Sequence, residues 1–136
     1  MVQKRPDRTL GGPHDVFWDY CAKGQLHIQQ CQSCAGFSYP PMKSCEHCGG
    51  ANMTWQPMSG YGHVVSHCRF EHDYYRGIFA IPHDTIMVEL AEGPIMMSNP
   101  SGFCNDDLTP NMPVKVAFTA CEDSAGVFQL PVFERV

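Results

Sequence analysis

Four of the eight cysteines in this 136-residue sequence fall in two copies of one pattern, Cys31-Gln32-Ser33-Cys34 and Cys45-Glu46-His47-Cys48, ten residues apart. Two residues between thiols let one tight turn present both sulfurs to a single ion. Two such turns complete the four thiolates, each about 2.3 Å from the metal, that a tetrahedral zinc takes. Gly36 follows the first turn and Gly49-Gly50 the second, and glycine supplies the positive φ that such turns often need. Four cysteine ligands leave no position for water or substrate, which makes structural zinc the leading reading, with iron in the same geometry and a redox dithiol as alternatives. His47 lies inside the second turn and reads as an exposed neighbour rather than a ligand.

The elements around these turns are short. Leu26-His27-Ile28-Gln29-Gln30 reads as a strand running into the first turn, Phe37 to Lys43 as the hairpin joining the two, and Trp55 follows the second. A ribbon of about 30 residues cannot bury enough apolar area to offset its chain entropy. A bound zinc, contributing on the order of 10 kcal/mol, can hold it together. Ahead of it, Pro13-His14-Asp15 offers a helix entry and Gly24 an exit, bracketing a short helix whose Phe17, Trp18 and Tyr20 must pack on something. The first dozen residues are polar and charged and are expected to form a mobile tail or a segment that orders only on a partner.

Beyond Met58 the pattern changes to strands separated by turns. Gly62 to Phe70 alternates, with Val64, Ser66, Cys68 and Phe70 expected to face inward. Thr85 to Leu90 turns at Ala91-Glu92-Gly93 into Ile95 to Asn99, a hairpin; Val114 to Thr119 and Phe128 to Phe133 follow. Five strands in this order suit a small Greek-key barrel of the OB type. The fold class is therefore mainly β, with a short helix and tail at 1–25, a zinc ribbon at 26–56 and a five-stranded barrel at 57–136.

Charge excludes one use of such a barrel. Residues 1–69 carry six basic and four acidic groups, whereas 70–136 carry three basic and ten acidic, a balance of −7. That sign repels phosphate backbones, so a nucleic-acid-binding module is the weaker alternative. No run approaches the roughly 18 apolar residues of a membrane span, and the start lacks a secretory pattern, so the expectation is a cytoplasmic protein with reduced thiols. Cys21, Cys68, Cys104 and Cys121 carry no nucleophile signature and are expected to be packing residues. His63 and His67 share a strand face but stand about 13 Å apart, too far to chelate one ion. Without a phosphate-binding glycine loop, a nucleophile elbow or a zinc-protease helix, no catalytic residue is assigned and an independent zinc or redox enzyme is disfavoured. The stretch Glu71 to Asp84 mixes aromatics, charge and glycine. There Tyr74, Tyr75, Arg76 and Phe79, together with Phe17 and Trp18 on the helix, are the candidates for a partner or ligand rim.

The order of the parts is more specific than any of them. Phe17-Trp18, Leu26 before the first Cys-x-x-Cys, Tyr39-Pro40-Pro41, the second Cys-x-x-Cys, Trp55, Val88-Glu89-Leu90-Ala91-Glu92-Gly93-Pro94 and Met112-Pro113-Val114 follow one another along nearly the whole chain. This succession resembles the family of domain of unknown function 35, a rubredoxin-like zinc ribbon joined to an OB-fold. The resemblance implies a non-catalytic accessory subunit in a hetero-oligomer with a thiolase-fold large subunit, a thiolase, acyltransferase or aldolase acting on acyl-CoA. The expected setting is degradation of aromatic or steroid-type substrates, with acyl-CoA at the shared interface. The acidic 71–84 loop is a departure that argues against direct CoA binding.

Overall fold

Alternating apolar residues close to turn formers dominate the second half of the chain, and they build one large sheet there. The computed structural model describes residues 2–136. In chain order the elements are β1 (Gln3–Lys4), α1 (Pro13–Ala22), β2 (His27–Cys31), β3 (Phe37–Ser38), β4 (Met53–Pro57), β5 (Tyr61–Phe70), β6 (His83–Leu90), β7 (Ile95–Ser98), β8 (Pro100–Ser101), a 3-10 turn (Asn105–Asp107), β9 (Pro113–Asp123) and β10 (Gly126–Arg135). The fold is mainly β with one short helix, a ribbon and a β body. β3, β2 and β4 form the ribbon sheet, while the body sheet runs β7, β6, β5, β9, β10, β8. Because β8 continues directly from β7 and lies parallel to β10, with Phe133 opposite Pro100, the body sheet returns to its own first strand.

Apolar alternation places the core as expected in β6, where Ile86, Val88 and Leu90 are all buried, and Met96 joins them from β7 across the hairpin. Val114 and Phe133 close this core from β9 and β10. The same cluster continues without a break into Leu26 and Ile28 of the ribbon and Phe17 and Cys21 of α1. Helix, ribbon and body thus share one apolar interior. The helix starts with Pro13 at its first position, where a missing N–H costs nothing, and Asp15 accepts a 2.8 Å bond from the Gly11 N–H. It ends on Gly24 at φ +72, with the Gly24 and Gln25 N–H groups capping the Cys21 and Tyr20 carbonyls, the Schellman arrangement that glycine permits.

Two expectations are corrected here. The N-terminal segment is docked rather than loose: β1 pairs in parallel with β9, and the Arg8 guanidinium donates to both Asp123 carboxylate oxygens at 2.7 and 3.2 Å. This bidentate pair, with the Arg8 N–H as a further donor, holds the Asp123 carboxyl at about 2. Arg8 also lies over the Phe128 ring at 4.2 Å. In β5, the strand register slips between Val64 and Ser66 so that Val65 is an extra residue, a β-bulge. Val64 is buried, but Ser66, Cys68 and Phe70, expected to face inward, are exposed.

Candidate metal centre and partner rim

The two Cys-x-x-Cys turns have one backbone design. In the first, the Cys31 N–H donates to the Gly36 carbonyl and the Ala35 N–H to the Cys31 carbonyl, each at 2.9 Å. In the second, Cys45 donates to Gly50 at 2.8 Å and Gly49 to Cys45 at 2.9 Å. The N–H two residues after each leading cysteine points at its sulfur, Ser33 to Cys31 and His47 to Cys45, both at 3.3 Å. A third such donor, Gly50, reaches Cys48 at 3.4 Å. Amide donors at sulfur favour the thiolate, and the Cys34 N–H followed by that of Ser33 holds the Cys31 thiol down at about 6.

All four sulfurs lie within 4.8 Å of one another, and Cys31–Cys48 and Cys34–Cys45 stand 3.6 Å apart across the two turns. Four ligands about 2.3 Å from a tetrahedral centre would be about 3.8 Å apart, so the donor set fits one thiophilic ion. Among the described residues, these four form the sole cluster of this kind. His47 is not part of it: its Nε2 lies 2.8 Å from the Phe37 carbonyl oxygen. The glycines meet the expectation in the second turn and depart from it in the first. The positive φ of the first turn falls on Ala35 (+62), and on Gly49 (+75) in the second. Gly36 instead gives room, since a Cβ there would sit 2.6 Å from the His47 ring; at Gly50 it would press on the Cys48 and Cys31 sulfurs at 3.3 and 3.4 Å. The Cys-x-x-Cys spacing identified the ligands, whereas nothing in an Ala-Gly pair announces a left-handed alanine.

The candidate rim divides. Phe17 is buried at 3% exposure, edge-on to Trp18 and tilted against Tyr39, so it is a core residue and not a rim residue. Trp18 is half-buried between Phe17 and Phe128, with its Nε1–H bonded to the Thr9 carbonyl at 3.2 Å. Phe79 is half-buried and stacks on His83 at 3.9 Å. Tyr74, Tyr75 and Arg76 remain exposed, with Arg76 in a left-handed turn (φ +51) ahead of Gly77. The loop is anchored where it enters β6 by the Arg69 guanidinium, 2.7 Å from Asp84, whose other oxygen accepts from the Asn105 N–H at 2.8 Å. Of the remaining cysteines, Cys21 and Cys121 are buried, and burial pushes the Cys21 thiol up to about 12. Cys68, expected to be packed, is exposed beyond the bulge. His63 Nε2 lies 3.1 Å from a Glu89 carboxylate oxygen.

Comparison with known proteins places these features. Residues 18–54 match the family model of the ChsH2 rubredoxin-like zinc ribbon domain. In class, then, this is a protein with a rubredoxin-like four-cysteine ribbon and a β body, and the ribbon is similar to that of ChsH2. A chain of the Ltp2-ChsH2(DUF35) aldolase superposes with a TM-score of 0.78 at 26% identity, covering 95% of this chain and 98% of that one. A protein of unknown function from the DUF35 family of Sulfolobus solfataricus shares the fold, with a TM-score of 0.63 at 12% identity over 93% of this chain and 87% of that one. The resemblance to the DUF35 family seen in the sequence thus extends over the whole structure. A probable enoyl-CoA hydratase alpha subunit from Thermomonospora curvata is 31% identical over 120 residues, 88% of this chain; the match spans only 36% of that longer protein. The described residues include no helix long and apolar enough to cross a membrane.

Proposed function

We propose that this protein is a non-catalytic accessory subunit that docks on a thiolase-fold enzyme and supports its acyl-CoA chemistry, in the breakdown of aromatic or steroid-type acyl groups. The observation that carries this reading is the end-to-end superposition on a chain of an aldolase, in a molecule whose cysteine cluster is coordinatively closed. The longer hydratase relative supports the acyl-CoA setting. Zinc is the ion best suited to four thiolates, and when bound it ties the two turns together without taking part in chemistry. Cys31, Cys34, Cys45 and Cys48 would hold it. We read residues 57–136 as an OB-type barrel because β7, β6, β5, β9 and β10 pair in that order and β8 closes the sheet. Trp18, Tyr74, Tyr75, Arg76 and Phe79 are the proposed contact surface, rigid aromatics and arginine being the types that dominate interfaces.

The test is co-expression with a thiolase-fold enzyme encoded beside it, followed by gel filtration and acyl-CoA turnover. The two should co-elute, and turnover should require the large subunit. Separate elution, or turnover by this chain alone, would overturn the proposal.

A further inference from the structure

A cleft of about 360 Å³ opens between the N-terminal segment, the start of β6 and the β8–β10 edge. Its volume is in the range of small-molecule sites, about 300–1,000 Å³. Arg5, Phe79, His83 and Asn99 line one part of it, and Leu130 and Val132 of β10 give it an apolar floor. The two rings and the cation are arranged in layers: the Arg5 guanidinium lies 5.2 Å from the Phe79 centroid, and Phe79 stacks on His83 with the planes 10° apart.

The cation that lines this cleft has no ion-pair partner among the described residues. Among the described residues no carboxylate pairs with Arg5, and its guanidinium makes no hydrogen bond, although burial disfavours its charged form. A half-buried guanidinium has five donors, and leaving all of them without a protein partner is costly. The neighbouring carboxylates are not paired with it, and Asp123 of the adjoining groove is held by Arg8. Asp84 also lines the cleft, but its two oxygens are held by Arg69 and the Asn105 N–H. Burial and Arg5 itself disfavour the charged imidazolium of His83, whose Nε2 lies 3.3 Å from the Asn99 amide. The Cys121 thiol near Arg5 is pushed up by burial and stays neutral. Arg5 is thus a cation over an apolar floor with no carboxylate paired to it.

We propose that this cleft binds a small monocarboxylate carried on a flat apolar body, with the carboxylate bidentate on Arg5 and the body against the Phe79–His83 stack, Leu130 and Val132. A guanidinium fork matches a carboxylate in shape and charge. A phosphate dianion matches it less well, because its second charge would face Asp84 across the cleft. The cleft shares Phe79 with the proposed contact surface, but ligand binding to the chain alone tests it without the partner.

Sodium benzoate is the probe, titrated into the metal-loaded full chain and followed by ¹H–¹⁵N NMR. Benzamide, its neutral counterpart, and inorganic phosphate are the comparison ligands. Benzoate should move the Arg5 Nε–H and the Ser101 and Thr119 amides saturably, with both other ligands at least tenfold weaker. Arg5→Gln should weaken benzoate about tenfold or more, the loss expected when a hydrogen bond to a charged group is removed. Arg5→Lys should fall between, and Phe79→Ala, which keeps the charge, should weaken benzoate without improving phosphate. Equal binding of benzamide, equal binding by Arg5→Gln, or no saturation at tens of millimolar benzoate would overturn the proposal. Should Arg5→Gln prove misfolded, the benzamide comparison and Phe79→Ala decide it.

Discussion

The ribbon and the body solve the same stability problem by different means. In the ribbon, β2 contributes Ile28 and Leu26 leads into it, but most of the turn residues around the four cysteines are exposed, so the metal must supply what burial does not. The body has strands of up to 11 residues and a dry interior of Ile86, Val88, Leu90, Met96, Val114 and Phe133, and it needs no ion. The lesson is that one continuous core can join a region held by coordination to one held by packing, and each should respond to its own perturbation.

The largest effect should follow from removing a ligand. Cys45→Ser, or chelation of the wild type, should unfold residues 26–56. Metal analysis and amide exchange would show this as lost metal and lost protection in β2–β4, with the β9–β10 hairpin still protected. Simultaneous loss of the hairpin would erase the distinction between the regions. Next in size, Phe133→Ala should cost about 3–5 kcal/mol, read as a lower urea midpoint, with the thiolate cluster still able to bind metal. A smaller effect belongs to the strap between the N-terminus and β9. The folded Asp123 carboxyl is held at about 2 against an ordinary 3.8, so its pair with Arg8 contributes fully above about pH 4 and is lost as the pH falls toward 2. Asp123→Asn should therefore be less stable at neutral pH and should lose less on acidification through that window, measured by thermal unfolding. The smallest effect compares the two metal turns. Ala35→Gly should raise stability by up to about 1 kcal/mol by relieving the left-handed strain, and Gly49→Ala should lower it by a similar amount. Equal melting temperatures for both variants and the wild type would mean that the shared backbone pattern does not impose a shared strain.

What could be read in the sequence was local. The ligand cysteines, the Gly24 helix exit, the β6–β7 hairpin and the alternation of Ile86, Val88 and Leu90 all follow from spacings within a few residues. What escaped was set by distant partners. Nothing near Arg8 announces Asp123, 115 residues away, so a polar N-terminus resembles a free one. Nothing in Val64-Val65-Ser66 marks an extra residue, since either register keeps a valine inward; the slip is visible only once Val88 and Met87 of β6 face their partners. Phe17 shows the same limit. A helix of two or three turns does not reveal which aromatic residue its neighbours will cover.

The bulge at Val65 sets which way the far half of β5 presents its chemistry. Removing that single residue would make the ladder regular, yet it would roll Ser66 through Phe70 over by half a turn. Arg69 would then lose its grip on Asp84, and the mouth of the aromatic loop would lose its hinge pin. An irregularity of one residue thus fixes the orientation of everything that leaves the body sheet at that corner.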